Sequence, residues 1–220
     1  RSSDLSPKIF EKADQKIICA NVGLFKPIWN KTFSKSFDRK FSGVEKNRTV
    51  RMLGQLDTQY GYYEDNLNQY LEIKLLGNKM SFGMVLPKGM VLPELNFDEL
   101  TMLVKHMKPT FINEVIIPAF TQQIKLKLTT MINNSGLESI FRKSNFSELV
   151  SKPCAISDIV QNITVIVANS GPENKDHSQA QTQAQFNANI SNIKFIADHP
   201  FIYYFRLLQT NTLLLMGNYE

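Results

Sequence analysis

Few residues of this chain could form a catalytic or metal centre. It contains two cysteines, Cys19 and Cys154, and three histidines, His106, His177 and His199. A zinc site or a Cys/His nucleophile pair needs more convergent ligands than this, and neither cysteine belongs to a CxxC motif. The sequence therefore predicts no metal, no cofactor and no enzymatic activity. Cys19, within the apolar run IICANVGLF, is predicted to be a buried thiol that packs as a small hydrophobe.

Several asparagines lie in motifs that can accept an N-linked glycan. The glycan-acceptor motif Asn-x-Ser/Thr occurs at Asn30, Asn47, Asn133, Asn145, Asn162 and Asn189. Chance gives a few such motifs in an Asn-rich chain, and the excess favours an extracellular, secreted glycoprotein. Asn162 lies inside an apolar strand pattern, so we expect it to stay unmodified.

The longest polar stretch is the segment 169–189, which reads NSGPENKDHSQAQTQAQFNAN. Its one large apolar residue is Phe186, and strongly β-forming runs lie on both sides of it. A connection of this length inside a compact domain is uncommon and is usually functional or disordered. The segment is the first candidate for a functional loop.

Strands are predicted to position this loop. Apolar and alternating runs indicate strands at 16–25, 48–57 and 156–168, three closely spaced β segments between 59 and 87, a strand in FINEVIIPAF, and two closing runs, IKFIADHPFIYYFRLL and TLLLMGNY. Gly77 and Asn78 suit a hairpin turn at Leu76–Lys79. Helical spacing predicts helices at 97–107 and at 122–132, where Ile124, Leu128 and Met131 share one stripe with Ile132.

These elements predict one α+β domain over residues 1–220, with mostly antiparallel sheets. The chain is 43% hydrophobic and 20% charged, enough apolar material for a sizeable core, and no run reaches the roughly 20 apolar residues of a membrane-spanning helix. The net charge is +5. The densest basic stretch, Lys35 to Arg51, is predicted to be a solvated face rather than a polyanion site. No nucleic acid or membrane partner is expected.

Several segments carry a family resemblance, among them LKLTTMINNSGLESIF and SDIVQNITVIVANSG. FIADHPFIYYF, from Phe195 to Phe205, resembles the signature of the serpin (serine protease inhibitor) family, and TNTLLLMGNY resembles its closing strand. NVGLFKPIWNKTF is similar to the family's central strand and the breach region above it. This resemblance implies that Asn21 belongs to that strand and that Trp29 caps the point where a loop inserts; a plain core role for Trp29 is the alternative.

The resemblance also implies a fold with an exposed reactive-centre loop at 169–189, called here the reactive-centre-like loop. In the family a protease cuts this loop, which then inserts into the main sheet and carries the protease with it. Alignment on Gly171 gives a hinge of Asn169, Ser170, Gly171, Pro172, Glu173 and Asn174. Efficient inhibitors have an acidic residue first, then Gly-Thr and a run of small residues; only Gly171 and Glu173 fit that pattern.

The hinge residues are a poor strand for insertion. Pro172 lacks an N–H for the sheet ladder, and Pro172, Asn174 and Asp176 would all face the core. Burial of an unpaired carboxylate is costly. The sequence therefore predicts slow insertion, unless extra residues in ENKD shift the insert to 178–182.

The candidate bait bond, counted from Gly171, is Gln185–Phe186, and it extends as far as Asn189–Ile190 in the shifted register. Phe186 is either a bait residue or an anchor for the loop.

Two functions remain open at this point. One is an inhibitor-type serpin that presents its loop to a serine or cysteine protease and traps it weakly. The other is a non-inhibitory serpin that acts as a binding, carrier or storage protein. In either case the resemblance implies a partner: the family's N-terminal half, which precedes Asn21 in complete members, is expected to come from another chain or to be lacking.

Overall fold

The computed structural model describes residues 17–142, 155–172 and 192–220. They form two compact units. The smaller comprises 17–25, 122–142 and 155–165 of the described residues, and the larger comprises 26–121, 166–172 and 192–220. The chain passes from one unit to the other after Phe25, between residues 121 and 122, and between residues 165 and 166.

Eleven strands and three short helices make up the described residues. The strands are β1 Ile17–Phe25, β2 Lys35–Ser42, β3 Asn47–Glu64, β4 Asn68–Lys74, β5 Met80–Pro87, β6 Lys108–Pro118, β7 Phe120–Lys127, β8 Ile156–Val167, β9 Lys194–Ile196, β10 Phe201–Leu207 and β11 Thr212–Tyr219. The helices are α1 Phe97–Val104, α2 Thr129–Ile132 and α3 Ser139–Arg142. A wider turn, Asn133–Leu137, separates α2 from α3, with Gly136 at φ 82°.

The smaller unit contains a three-stranded sheet in the order β1-β8-β7. β1 and β8 run parallel, and their register extends from Ile17 opposite Ile156 to Phe25 opposite Val165. Val22 and Leu24 of β1 are 52% and 62% exposed. Within the described residues, β1 pairs along one edge only, and one of its faces presents these two apolar side chains to solvent.

The larger unit contains an eight-stranded sheet, in the order β11-β10-β5-β4-β3-β6-β9 with β2 also paired to β3. Its neighbours are antiparallel except for β6 and β9, which run parallel. Leu100 and Val104 of α1 pack on Tyr70, Val85 and Tyr204 of this sheet. Asn96 begins α1 with a reciprocal capping box, since its side chain and that of Glu99 each accept from the other's backbone N–H.

Most predicted elements are present. The predicted α+β class is confirmed, and Gly77 and Asn78 adopt φ of 83° and 53° in the turn between β4 and β5. The segments near 48–57 and 59–65 form the single long strand β3, whereas the run 193–208 is divided between β9 and β10. Among the described residues, no helix is long and apolar enough to cross a bilayer.

Two predictions are wrong. Residues 120–127 form strand β7 rather than the first part of a helix, and only Thr129–Ile132 is helical. Polar and apolar side chains alternate in QQIKLKL, so the segment fits a strand as well as a helix. Pairing with β8 favours the strand. Cys19 is exposed, not buried: its backbone pairs with β8, but none of the described residues covers its side chain.

Candidate functional site

The site is built where the long strand β8 ends at Val167 and the reactive-centre-like loop begins. Over most of its length β8 is hydrogen-bonded directly to β1, so Cys19 lies opposite Ile159 and Phe25 opposite Val165. Direct pairing leaves no place for another strand between them along these residues. In the structure, the gap that a serpin loop would enter is closed.

Trp29 holds the first residues beyond β8. Its side chain is fully buried, and its indole N–H donates to the carbonyl of Ala168 at 2.7 Å. Its backbone N–H donates to the carbonyl of Ser170 at 2.8 Å. The indole packs edge-on against Phe33 and Phe82, with ring centroids 5.2 and 5.7 Å apart. Trp29 therefore has a core role and also contacts the start of the hinge.

Asn169, the first hinge residue, is bound to the backbone of Phe33. The Phe33 N–H donates to the Asn169 side-chain oxygen at 2.8 Å, and the Asn169 amide donates to the Phe33 carbonyl at 2.9 Å. A carboxylate has no N–H, so the acidic residue that efficient inhibitors carry here could make only the first of these bonds. We name the contacts of Trp29 and Phe33 with residues 168–170 the hinge anchor.

Gly171 follows the hinge anchor and passes very close to the chain. A β-carbon at this position would lie 2.8 Å from the Trp29 carbonyl oxygen and 2.8 Å from a methyl group of Thr32. Only glycine fits there without displacing backbone. Pro172 comes next and is exposed. The predicted hinge residues thus contact the rest of the larger unit as far as Gly171.

The remaining predicted site residues lie elsewhere. Asn21 lies within β1, opposite Gln161 of β8. Glu173, Asn174 and the candidate bait residues Gln185 and Phe186 lie outside the described residues. The structure therefore brings Trp29 together with Asn169, Ser170 and Gly171, and adds Thr32 and Phe33, which the sequence did not single out. The only signal for them was their place in the breach-like segment NVGLFKPIWNKTF.

The signature segment is held by its polar residues. Asp198 forms an ion pair with Arg39 at 2.9 Å and contacts His199 at 3.1 Å, and the second ring nitrogen of His199 lies 2.7 Å from the Pro87 carbonyl. The backbone carbonyl of Asp198 accepts from Ser42 at 2.8 Å. These contacts place the start of β10 against β2 and β5.

Tyrosines of the adjacent core are not acid–base groups at ordinary pH. Burial raises the pKa of Tyr203 to about 12. Burial, and then the charge of Glu72, raise the pKa of Tyr204 well above 10. Among the described residues, no cluster of three or more His, Cys, Asp or Glu could hold a metal ion. The arrangement can anchor a loop.

A long central strand that ends at residues held by Trp29 agrees with the serpin resemblance. The family model described as Serpin (serine protease inhibitor) matches residues 4–220. The chain therefore belongs to the serpin family, whose members are generally protease inhibitors rather than enzymes.

Individual relatives agree with this assignment. An uncharacterized serpin-like protein of Methanosarcina mazei is 27% identical over 226 residues, covering 99% of this chain and 53% of the relative. Human Serpin B9 is 26% identical over 231 residues, covering 99% of this chain and 61% of Serpin B9. The chain thus spans a little more than half the length of these curated relatives.

Solved structures show the same fold. Native protease nexin-1 with heparin superposes with a TM-score of 0.78 at 25% identity, covering 97% of this chain and 60% of that one. Uncleaved ovalbumin superposes with a TM-score of 0.74 at 22% identity, covering 91% of this chain and 53% of that one. The predicted family and fold class are confirmed.

An expected result follows for the hinge anchor. Asn169→Leu should raise the hydrogen-exchange rate of the Phe33 amide at least about fivefold, since one lost hydrogen bond is worth about 1 kcal/mol of local stability. Exchange measured by NMR or mass spectrometry tests this, with the exposed turn variant Asn134→Leu as control. Unchanged exchange at Phe33 would show that the Asn169 side chain does not hold this segment.

Proposed function

We propose that this protein presents residues 169–189 as bait to a serine or cysteine protease and traps the protease weakly. The observation that carries this proposal is the hinge anchor followed at once by Pro172. Before the loop can enter the sheet, the direct β1–β8 pairing must open and the bonds of Asn169 to Phe33 must break. Pro172, the first residue beyond Gly171, then lacks the backbone N–H that would donate to a neighbouring strand.

Trapping is weak because loop insertion competes with hydrolysis of the acyl-enzyme. A protease that has cut the loop is retained only if insertion outpaces hydrolysis of its acyl-enzyme. Pro172 at the entry point and a carboxylate at Asp176 both slow insertion. Cleavage without retention is then the main outcome, and the protein behaves as a substrate.

The bait bond proposed here is Gln185–Phe186. No Arg or Lys lies between Gln179 and Asn189. A trypsin-like protease needs a basic residue before the cut, so the proposed target accepts a neutral or apolar residue instead.

A second candidate is a non-inhibitory serpin that acts as a binding, carrier or storage protein. The two-way hydrogen bonding of Asn169 favours it, because the amide ties the loop to Phe33 more completely than an acidic residue could. In that case the loop has no need to insert at all.

Exposed apolar side chains on β1 support a further partner, the N-terminal half of the serpin domain. Val22 and Leu24 are more than half exposed on one face of the strand, and its second edge is unpaired among the described residues. Both features promote association. We propose that the N-terminal half of a serpin domain covers this strand.

Secretion and glycosylation are also proposed. Asn47 and Asn133 are exposed and available to a glycosyltransferase, whereas Asn30 is exposed but its side-chain amide donates to Asn78 at 2.8 Å. Asn162 lies in β8 with a buried side-chain oxygen, which supports its staying unmodified.

A protease panel tests the main proposal. Mixed with serine and cysteine proteases, the full-length protein should be cut at Gln185–Phe186 with little covalent complex on a denaturing gel. Its melting temperature should rise little after the cut, because the cut loop stays outside the sheet. An efficient inhibitory serpin run in parallel shows that the assay detects complexes.

The outcomes separate the two candidates. A stable covalent complex, or a large rise in melting temperature after cleavage, contradicts weak trapping. Resistance of the loop to every protease in the panel favours the binding, carrier or storage function.

A further inference from the structure

The tripeptide Asn-Ser-Gly occurs twice in the chain, at 134–136 and at 169–171. Asparagine is a thermolabile residue, and it is most reactive before a small residue, whose backbone nitrogen can attack the side-chain amide. The first copy lies in the turn between α2 and α3, and the second begins the predicted hinge. The two copies have the same local sequence, so a difference in their reactivity in the folded protein reflects the fold.

In the second copy both reacting groups are engaged. The side-chain oxygen of Asn169 accepts from the Phe33 N–H at 2.8 Å, and its amide donates to the Phe33 carbonyl at 2.9 Å. The backbone N–H of Ser170, which carries the attacking nitrogen, donates to the Ala168 carbonyl at 2.8 Å. This bond closes a γ-turn centred on Asn169. The Asn169 side chain must leave Phe33, and the γ-turn must open, before the two groups can react.

The hinge anchor can open without unfolding the larger unit. Asn169 is exposed, so water reaches its amide. Besides the bonds of Asn169, the anchor consists of two hydrogen bonds from Trp29, one to the Ser170 carbonyl at 2.8 Å and one to the Ala168 carbonyl at 2.7 Å. Segments held by a few bonds near the surface open locally far more often than the whole protein unfolds. Local opening therefore controls the exposure of both reacting groups.

We propose that Asn169 is a deamidation site controlled by the hinge anchor, and that its deamidation permanently weakens the anchor. When the anchor opens, the Ser170 nitrogen bonds to the side-chain carbonyl carbon of Asn169. The amide nitrogen leaves as ammonia and takes the proton of the Ser170 N–H. Water then opens the cyclic imide and produces aspartate or isoaspartate. One water is consumed and one ammonia is released, with no oxidant or reductant.

The product cannot restore the original anchor. A carboxylate has no N–H to donate to the Phe33 carbonyl, and an oxygen in place of the amide nitrogen would face that carbonyl as a second acceptor. Isoaspartate also lengthens the backbone by one methylene group before Ser170. Aspartate is the acidic type of residue that efficient inhibitors carry first in the hinge. A consequence for trapping rests on the proposed function, whereas the chemistry at Asn169 does not.

Peptide mapping by mass spectrometry tests control by the anchor. The full-length protein is incubated at neutral pH, native and in urea, and the mass gain of deamidation is followed at Asn169 and Asn134. In urea the two tripeptides should react at similar rates. In the native protein Asn169 should react at least about tenfold more slowly than in urea, because several hydrogen bonds must break first.

A hinge substitution should remove this protection. A β-carbon at Gly171 would lie 2.8 Å from the Trp29 carbonyl oxygen, so Gly171→Ala pushes the hinge away from Trp29 and leaves the reacting pair unaltered. Deamidation of Asn169 in the native variant should be at least about fivefold faster than in the parent protein. Asn134 belongs to the smaller unit, and its unchanged rate would show that the variant is not generally destabilised.

Gly89→Ala is the matched control. Gly89 is exposed in the larger unit, and a β-carbon there would have nothing within 4 Å. The deamidation rates of Asn169 and Asn134 should equal those of the parent protein. The rate of Asn169 in urea, measured for Gly171→Ala as well, shows whether the alanine alters the intrinsic chemistry.

The effect of the product is measured separately with Asn169→Asp. Hydrogen exchange of the Trp29 amide, which donates to Ser170, should be at least about threefold faster, because one bond of the anchor is lost. Asn134→Asp makes the same change in the other tripeptide and should leave exchange at Trp29 unchanged. Unchanged exchange in Asn169→Asp overturns the proposal that deamidation weakens the anchor.

The remaining outcomes concern the site itself. Slow deamidation of native Asn169 that Gly171→Ala accelerates selectively supports the proposal. Equal rates in the native protein and in urea overturn it, because the anchor then gives no protection. Absence of deamidation at Asn169 in both the native parent and native Gly171→Ala overturns it as well. No protease is present in these experiments, so their results do not depend on whether the reactive-centre-like loop traps one.

Discussion

Replacing Pro172 by Thr, Asn174 by Ala and Asp176 by Ala should convert a cut loop that stays outside the sheet into one that inserts between β1 and β8. These three side chains alternate along the chain, so all would face the core in an inserted strand. Threonine restores the missing ladder N–H. The two alanines remove polar groups that have no partner in an apolar layer.

The carboxylate contributes most to the expected effect. An unpaired buried aspartate takes up a proton instead of staying charged. Protonating a carboxyl of ordinary pKa, about 3.9, at pH 7 costs about 4 kcal/mol. Its removal alone should therefore favour insertion by roughly a thousandfold. The measurements are the fraction of covalent complex on a denaturing gel and the melting temperature before and after cleavage.

A control uses the alternate residues of the same segment. Glu173, Lys175 and His177 would point away from the core, so their replacement by Ala should leave insertion nearly unchanged. If this control triple promotes insertion as strongly as the first, the alternate-face argument is wrong. If the unaltered protein already gains stability on cleavage, Pro172 and Asp176 are not the obstacle.

The contacts that hold residues 168–171 could not be predicted from the sequence. The family resemblance placed Gly171 in the predicted hinge, and the structure shows that a β-carbon there would lie 2.8 Å from the Trp29 carbonyl oxygen. The bonds between Asn169 and Phe33 join residues 136 positions apart. No local pattern indicates such a contact, because it depends on the path of the chain through the larger unit.

The distribution of positive charge in the fold is also hard to predict from the sequence. Half of the basic residues in the densest stretch are engaged by nearby groups: Arg39 pairs with Asp198, Arg51 pairs with Asp38, and Arg48 lies over the rings of Phe41 and Tyr219. Four other lysines, from separate segments, line one opening of the larger unit. The sequence could not indicate this second group, because only the fold brings residues 31, 74, 105 and 108 together.

The strand β7 and Cys19 show how tertiary context overrides local pattern. Ile124 and Leu128 fit a helical stripe, but Ile124 also fits the alternation of a strand. Pairing with β8 decided between them. The apolar run around Cys19 correctly predicted a strand but not its burial, since burial depends on what covers the strand.

Glu72→Leu should be among the most destabilising single substitutions in the larger unit. Glu72 on β4, Ser81 on β5 and Arg206 on β10 form one polar network across three adjacent strands. Loss of the carboxylate leaves the Arg206 guanidinium nearly buried with no opposite charge. Breaking such a pair costs about 3–5 kcal/mol. Urea denaturation of the full-length protein at pH 7 measures this loss as a lower transition midpoint.

Two comparisons isolate the charge from the packing. Glu72→Leu combined with Arg206→Leu should recover most of the lost stability, because two apolar side chains can replace a buried ion pair at little cost. Asp38→Leu removes the partner of Arg51 from a pair whose side chains are 56% and 63% exposed, and should cost less than about 1 kcal/mol. If Glu72→Leu costs no more than Asp38→Leu, the network spanning β4, β5 and β10 does not stabilise the sheet. If the double variant is as unstable as the single one, lost packing rather than an uncompensated guanidinium is the cause.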